Sequence, residues 1–455
     1  MAASIDPAGW LATTDDDPRF VRGGRRLGFW FLALTSDDAT AARAAGDAIH
    51  SVRTGLPEGV SDPSELPPGW SVPSDGDWQS AVRSEVARPQ FPRASFVQAL
   101  IRTIEREGGQ FWAAITDAGE GGTGTHGNDL ARYIAASWVF EALAEELLDD
   151  TPGLERLLAL SQSQHLVLAA CRRIGPAGIR LFGPLHAAVE RRDITDFAAP
   201  AALGALARND EAALRMLARR LDAEGEAAWT AANALASAGE AALRTMPELQ
   251  RWIRDAASDA DPDRRARAAR LLCGLGRGTE WAEQILLERL RDGEPVVVGS
   301  ALVALAGWPA PPARAEAVVG AIVQAASDYE EKDHDSRPLE HVCAALAGLP
   351  AESVARLALP FLMPRLLSRS AVSGHDVVFI EADPDLVALL ERLGPAAAGA
   401  ADVVRKALGE LEASSVAVEE MNRAEEVMYG ERAGRWSVPD PAPLRQALLA
   451  IGGAQ

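Results

Sequence analysis

Two stretches of this chain limit what it can fold into more than any other feature. "DPDRRARAARLLCGLG" begins at Asp261 and "EPVVVGSALVALAGW" begins at Glu294, 33 residues later, with Ala268 aligning on Ala301 and Leu272 on Leu305. A period of this size is one supersecondary unit, too small to bury its apolar face alone, so neighbouring units have to stack. Blurred copies recur as "HLVLAACRRIGPAG" from His165, "AAWTAANALASAGEAAL" from Ala227, "LEHVCAALAGLP" from Leu339 and "DPDLVALLERLGPAAAGA" from Asp383. In each, small residues let one helix approach its neighbours closely. A Gly near the end supplies the positive-φ position on which a helix stops.

Asp261, Pro262, Arg265, Ala268, Ala269 and Leu272 fall on the pattern D-P-x-V-R-x-x-A-A-x-A-L-G, and "RLGPAAAGA" at 392–400 matches the turn that follows it. On these residues the chain resembles the HEAT and armadillo-like α-solenoids, the bacterial short HEAT repeats in particular, over roughly residues 155–412. The resemblance implies an all-α fold, an α-α superhelix of HEAT-like type. It also implies structural roles for Asp261 and Arg265 in a ladder between repeats, although Val298 stands in the next copy where Arg265 stands in this one. Function does not follow from the resemblance, because one architecture serves many unrelated tasks.

Residues 1–93 are patterned differently. "RRLGFWFLAL" reads as a strand or a short buried helix, "SDDATAARAAGDAIHSVRTG" as a capped helix, and "LPEGVSDPSELPPGWSVPSDGDW" as a Pro-rich connection. We therefore expect an N-terminal cap segment (1–93), a helical repeat region (94–412) and a C-terminal helical cap (413–455), since end repeats need one polar side. The tetrapeptide "WSVP" occurs at 70–73 and again at 436–439, each time shortly before a helix. A Trp packing as a hydrophobic staple before the helix is one reading of the echo, and a pair of related docking tails is the other.

The stretch "GEGGTGTHGNDL" at 119–130 places Gly122, Gly124 and Gly127 in the order G-x-G-x-x-G. A dinucleotide cradle needs a strand before it and a βαβ unit after it, whereas both flanks here read as amphipathic helices and the loop holds no Lys or Arg. It reads as a connector. The formal charge of -20 and pI near 4.9 argue against a protein devoted to phosphate backbones. Cys171, Cys273 and Cys343 are few, far apart and set in apolar patterns, which points to core thiols rather than disulfides or zinc. No secretory pattern opens the chain, and the run "FWFLAL" is much shorter than the ~20 residues that span a bilayer. A soluble, cytoplasmic protein is expected, with no cofactor and no metal.

Two acidic stretches break the repeat. "SDYEEKDHDSRPLEH" at 327–341 carries Asp333, His334, Asp335 and His341, and "GHDVVFIEADPD" at 374–385 carries His375, Asp376, Glu381 and Asp383. Neither has a ligand spacing known for metals, and insertions on one edge of a solenoid commonly form its binding edge. Arg264, Arg265, Arg267 and Arg270 could form a basic stripe, but Asp259, Asp261 and Asp263 stand ready to pair with them. The expectation is a non-catalytic protein-protein interaction scaffold whose surface and acidic edge insertions (Asp333, His334, Asp335, His375, Asp376, Glu381, Asp383) hold a protein partner of basic character. The alternative is a DNA-binding enzyme resembling the HEAT-like alkylpurine glycosylases, which needs a basic, Trp-lined groove; a resemblance to the HEAT-repeat bilin lyases rests on the repeat type alone.

Overall fold

The computed structural model describes residues 17–22, 25–54, 73–119, 127–143, 145–194, 196–306, 308, 312–332, 338–371, 378–429 and 438–452. By its contacts the chain falls into two units, Met1–Arg220 with Gly225–Ala241, and Leu221–Glu224 with Ala242–Gln455. That break lies inside the repeat region, away from the composition changes near residues 93 and 412.

The first unit opens with β1 (Val21–Arg22) and β2 (Arg25–Arg26), an antiparallel pair. It continues through α1 (Leu27–Leu34), α2 (Ala39–Thr54), α3 (Asp75–Val86), α4 (Arg93–Gly119), α5 (Gly127–Ala142), α6 (Thr151–Leu158), α7 (Gln164–Ile174), α8 (Phe182–Glu190), α9 (Ala199–Ala207), α10 (Glu211–Ala218) and α11 (Glu226–Ala238). Helices α2, α5, α7, α9 and α11 pack one on the next, and α4, α6, α8 and α10 lie against them as a second row. "RRLGFWFLAL" resolves into β2 and the buried helix α1, packed on α2 and α3. Since α4 and α5 are both helical and pack together, the glycine stretch joins two helices, and Gly122 and Gly124 themselves lie outside the described residues. Trp70 and Trp436 of the repeated tetrapeptide both lie outside them too.

After α12 (Glu240–Thr245), which crosses the boundary, the second unit holds α13 (Glu248–Ala257), α14 (Pro262–Leu271), α15 (Glu280–Arg289), α16 (Pro295–Leu305), α17 (Pro312–Lys332), α18 (Pro338–Ala347), α19 (Ala351–Leu357) and α20 (Leu359–Leu362). Then come β3 (Leu367–Ala371) and β4 (Val378–Ala382), followed by α21 (Pro384–Leu393), α22 (Ala401–Tyr429) and α23 (Ala442–Gly452). Again one row is continuous, α14 to α16 to α18 to α21 to α23, with α13, α15, α17, α19 and α22 beside it. Each unit is thus a two-row helical stack of the HEAT-like solenoid kind, and the fold class is all-α.

Local chemistry explains the stacking. Ala268, Leu272, Ala301 and Leu305 are all essentially inaccessible, as the 33-residue register requires. Helix α9 approaches α11 so closely that a Cβ on Gly204 would lie 2.1 Å from the Ala234 carbonyl oxygen, so only glycine fits there. Starts and stops follow the expected residues. Asp210, Asp261 and Asp383 accept hydrogen bonds from backbone N–H groups in the first turns of α10, α14 and α21. Gly175, Gly239 and Gly394, with φ of 60°, 70° and 51°, end α7, α11 and α21.

One element runs against the sequence reading. The insertion before α21 pairs as an antiparallel hairpin with Leu367 opposite Ala382 and Ser370 opposite Phe379. The β-branched and aromatic run "VVFI" was the available strand signal, and the helical pattern around it masked it.

Candidate functional site

The arginines of α14 show where basic charge in the second unit goes. Arg265 donates through Nε and Nη2 to the two carboxylate oxygens of Asp292 at 2.9 and 2.8 Å, joining one repeat to the next. Asp292 also accepts from the Glu294 backbone N–H at 3.1 Å, the same contact that Asp259, one period earlier, makes with Asp261 at 2.9 Å. Arg264 pairs with Asp259 at 2.6 Å and Asp222 at 3.1 Å, and its guanidinium lies 5.6 Å from the ring of Trp252, whose indole N–H donates to Asp222. Arg267 is buried: it donates to the Ala223 carbonyl at 3.1 Å, and its guanidinium lies 3.7 Å from the Asp261 carboxylate. Fork-shaped donors of Arg264 and Arg265 are thus spent on carboxylates within the fold rather than offered to solvent.

The ladder contact is therefore real at Arg265 but closes on Asp292, while Asp261 caps α14 instead. Burial tends to raise the Asp292 carboxyl, and the Arg265 hydrogen bond, the Glu294 N–H and the charges of Arg265 and Arg289 outweigh it, so its pKa lies below the ordinary aspartate value.

Acidic charge gathers elsewhere. Asp333, His334, Asp335, His375 and Asp376 lie outside the described residues, but the described ends of both insertions meet where α18 packs on α21. Glu340 and His341 sit in the first turn of α18, while Asp383 and Asp385 sit at the start of α21. Burial first, and then the charges of Asp383 and Glu340, raise the Asp385 carboxyl above its usual value, with His341 opposing. Three carboxylates at two helix starts are tolerated because the positive ends of the helix dipoles face them. Asp383 is more than a surface acid: its Oδ1 accepts from the N–H groups of Asp385 and Leu386 at 3.1 and 3.0 Å. Glu381 is exposed on β4 opposite Ser368. Asp385 and Glu340 were not singled out from the sequence; the D-P-D start of α21, which repeats Asp261–Asp263, could have flagged Asp385.

Nucleophilic chemistry has little foothold among these groups. Burial pushes the Cys171 thiol up to about 12, and burial with the charges of Asp383 and Asp385 pushes Cys343 up to about 12, so both stay protonated near neutrality. Among the described residues no group of three or more His, Cys, Asp and Glu side chains is arranged to hold a metal ion. Among them, too, no helix is long and apolar enough to cross a membrane.

No protein-family model matches the chain, and no curated protein matches it. Among solved structures, Kap121p bound to Pho4p is similar over 93% of this chain and 53% of that chain, at 14% identity and a TM-score of 0.33. A Kap121p mutant is similar over the same shares at 12% identity and a TM-score of 0.33. The chain spans about half the length of the solved structures it matches.

Proposed function

We propose that this chain is a non-catalytic protein-binding scaffold whose acidic edge, at the starts of α18 and α21, holds a partner of basic character. The observation that carries the reading is the packing of α18 on α21, which brings the described ends of two separate acidic insertions together, with Asp383 and Glu340 close enough to raise the Asp385 carboxyl. Carboxylates clustered on a rigid helical frame attract Lys and Arg over several ångströms and fix the register of a docked chain. Nucleic acid is disfavoured, because Arg264 and Arg265 of the arginine-rich α14 are already paired with Asp222, Asp259 and Asp292.

Affinity capture from the native host, followed by mass spectrometry, tests the reading when wild type is run beside a variant carrying Glu340→Gln and Asp385→Asn. The expected result is a stoichiometric basic protein held by wild type and lost from the variant. A partner held equally by both, or a captured nucleic acid, overturns it.

A further inference from the structure

A second surface of the second unit has a shape that packing alone does not require. Helices α19 and α20 are short because proline interrupts the segment: Pro350 caps the first, Pro360 stands near the start of the second, and Pro364 sits just beyond it. Facing this broken segment is the turn at 394–400, rich in Ala and Gly, which leads into α22. Large side chains are missing on one side and helix continuity on the other, and the gap is an open cleft of about 710 Å³. Leu359 and Met363 form one wall, Ala396 and Gly399 the other, and Val403, 42% exposed, stands at the rim. A Cβ built on Gly399 meets nothing within 4 Å, so the space above it is empty.

The polar lining is sparse and its charges are unequal. Arg356 is held by Glu316, whereas Glu352, at the same end, is exposed and has no ion pair or hydrogen bond among the described residues. An apolar trough with one free carboxylate at its end is therefore offered to solvent. The volume lies within the ~300–1,000 Å³ range of ligand sites, whose linings are predominantly apolar.

We propose that this cleft docks an amphipathic helix of a partner protein, with aliphatic side chains seated between Leu359 and Val403 and a Lys or Arg against Glu352. This goes beyond the acidic-edge reading and uses none of its residues. Exposed Pro360, Pro364, Gly399 and Val403 leave the trough open along its length, which suits a helix laid into it better than a ligand enclosed on all sides. Charge complementarity selects a basic helix: Glu352 is the unsatisfied group, and a second copy of this chain would bring another net charge of -20.

The test uses the full chain with labelled methyl groups and two peptides of about 18 residues, long enough to hold a helix. One peptide carries Leu on one face and Lys on the other, and its counterpart carries Glu in place of Lys. The Leu/Lys peptide should shift the methyl signals of Leu359 and Val403. Gly399→Leu, which fills the empty space, should weaken binding about tenfold or more, and Glu352→Arg should weaken it about fivefold. Val403→Asp, at an exposed position where folding tolerates the change, should reproduce the loss if Gly399→Leu melts early. Unchanged affinity in these variants, or equal binding of the Leu/Glu peptide, overturns the proposal. Shifts confined to the starts of α18 and α21 overturn it too and leave the acidic-edge reading standing. A wild-type dimer in sedimentation that Gly399→Leu converts to monomer would assign the cleft to a second copy instead.

Discussion

At the residue scale the sharpest commitments are Asp292 and Leu272. The Asp292 side chain is 7% exposed and holds Arg265 through both carboxylate oxygens, so removing its charge leaves a guanidinium largely shut away from water. Asp292→Asn should cost about 3 kcal/mol at neutral pH, read from urea unfolding. Its pKa is depressed in the folded chain, so the stabilisation is present above the usual value of 3.8 and is lost as pH falls through the lower folded value. The gap between wild type and variant should therefore close in acid, and a gap that persists there would deny the pairing. Asp385 has the opposite sign: its raised pKa means that ionisation weakens the fold above 3.8, so Asp385→Asn should leave stability equal or slightly higher at pH 7. Leu272 is fully buried, and Leu272→Asp should cost about 4 kcal/mol or more, enough to abolish a cooperative melt of the neighbouring repeats by circular dichroism. An unaltered melt would refute the 33-residue register.

At the element scale, the α9–α11 contact rests on one absent side chain. Gly204→Val should lower stability by about 3 kcal/mol, since its Cβ would sit 2.1 Å from the Ala234 oxygen and 2.8 Å from the Ser237 Cβ and would force the two helices apart. Thermal denaturation checks this, and Gly399→Ala, at a glycine with open space, is the tolerant control. The contrast also shows what sequence makes legible. Both glycines sit in Ala-rich segments and look alike in one dimension, and only the stacking of helices tells which has a neighbour. Helix existence, the D-P starts at Asp261 and Asp383, and the alignment of Leu272 with Leu305 are local or periodic properties, so the sequence carries them openly. Arg265 could be read as structural, but its partner Asp292 lies in the next repeat and is chosen by packing. The β3–β4 hairpin was hidden for a related reason: strand pairing is a relation between two segments, and each was short enough to pass for a loop inside a helical pattern. Glu381 could thus be named from sequence as an acid on an insertion, but not as a residue displayed on a strand.

At the scale of the whole molecule, a formal charge of -20 acts in two directions that salt can separate. Like charges on a folded chain repel, so screening should stabilise it, whereas attraction to a basic partner is screened away within about 8 Å at physiological ionic strength. Raising salt from about 0.05 to about 0.5 M should therefore keep or raise the melting temperature while it releases the partner. A variant with Asp333→Asn, Asp335→Asn, Asp376→Asn and Asp383→Asn should imitate the second effect without the salt. Asn at position 383 can still accept the hydrogen bonds from Asp385 and Leu386, so α21 keeps its cap and folding is not the variable. The variant should melt at or slightly above the wild-type temperature at low salt, and its captured partner should be lost. If the partner stays bound to the variant but leaves wild type at high salt, the charge contact lies elsewhere, and Glu352 beside the apolar cleft becomes the next carboxylate to reverse. If neither salt nor the four substitutions release it, recognition is apolar, and Gly399→Leu is the change that should.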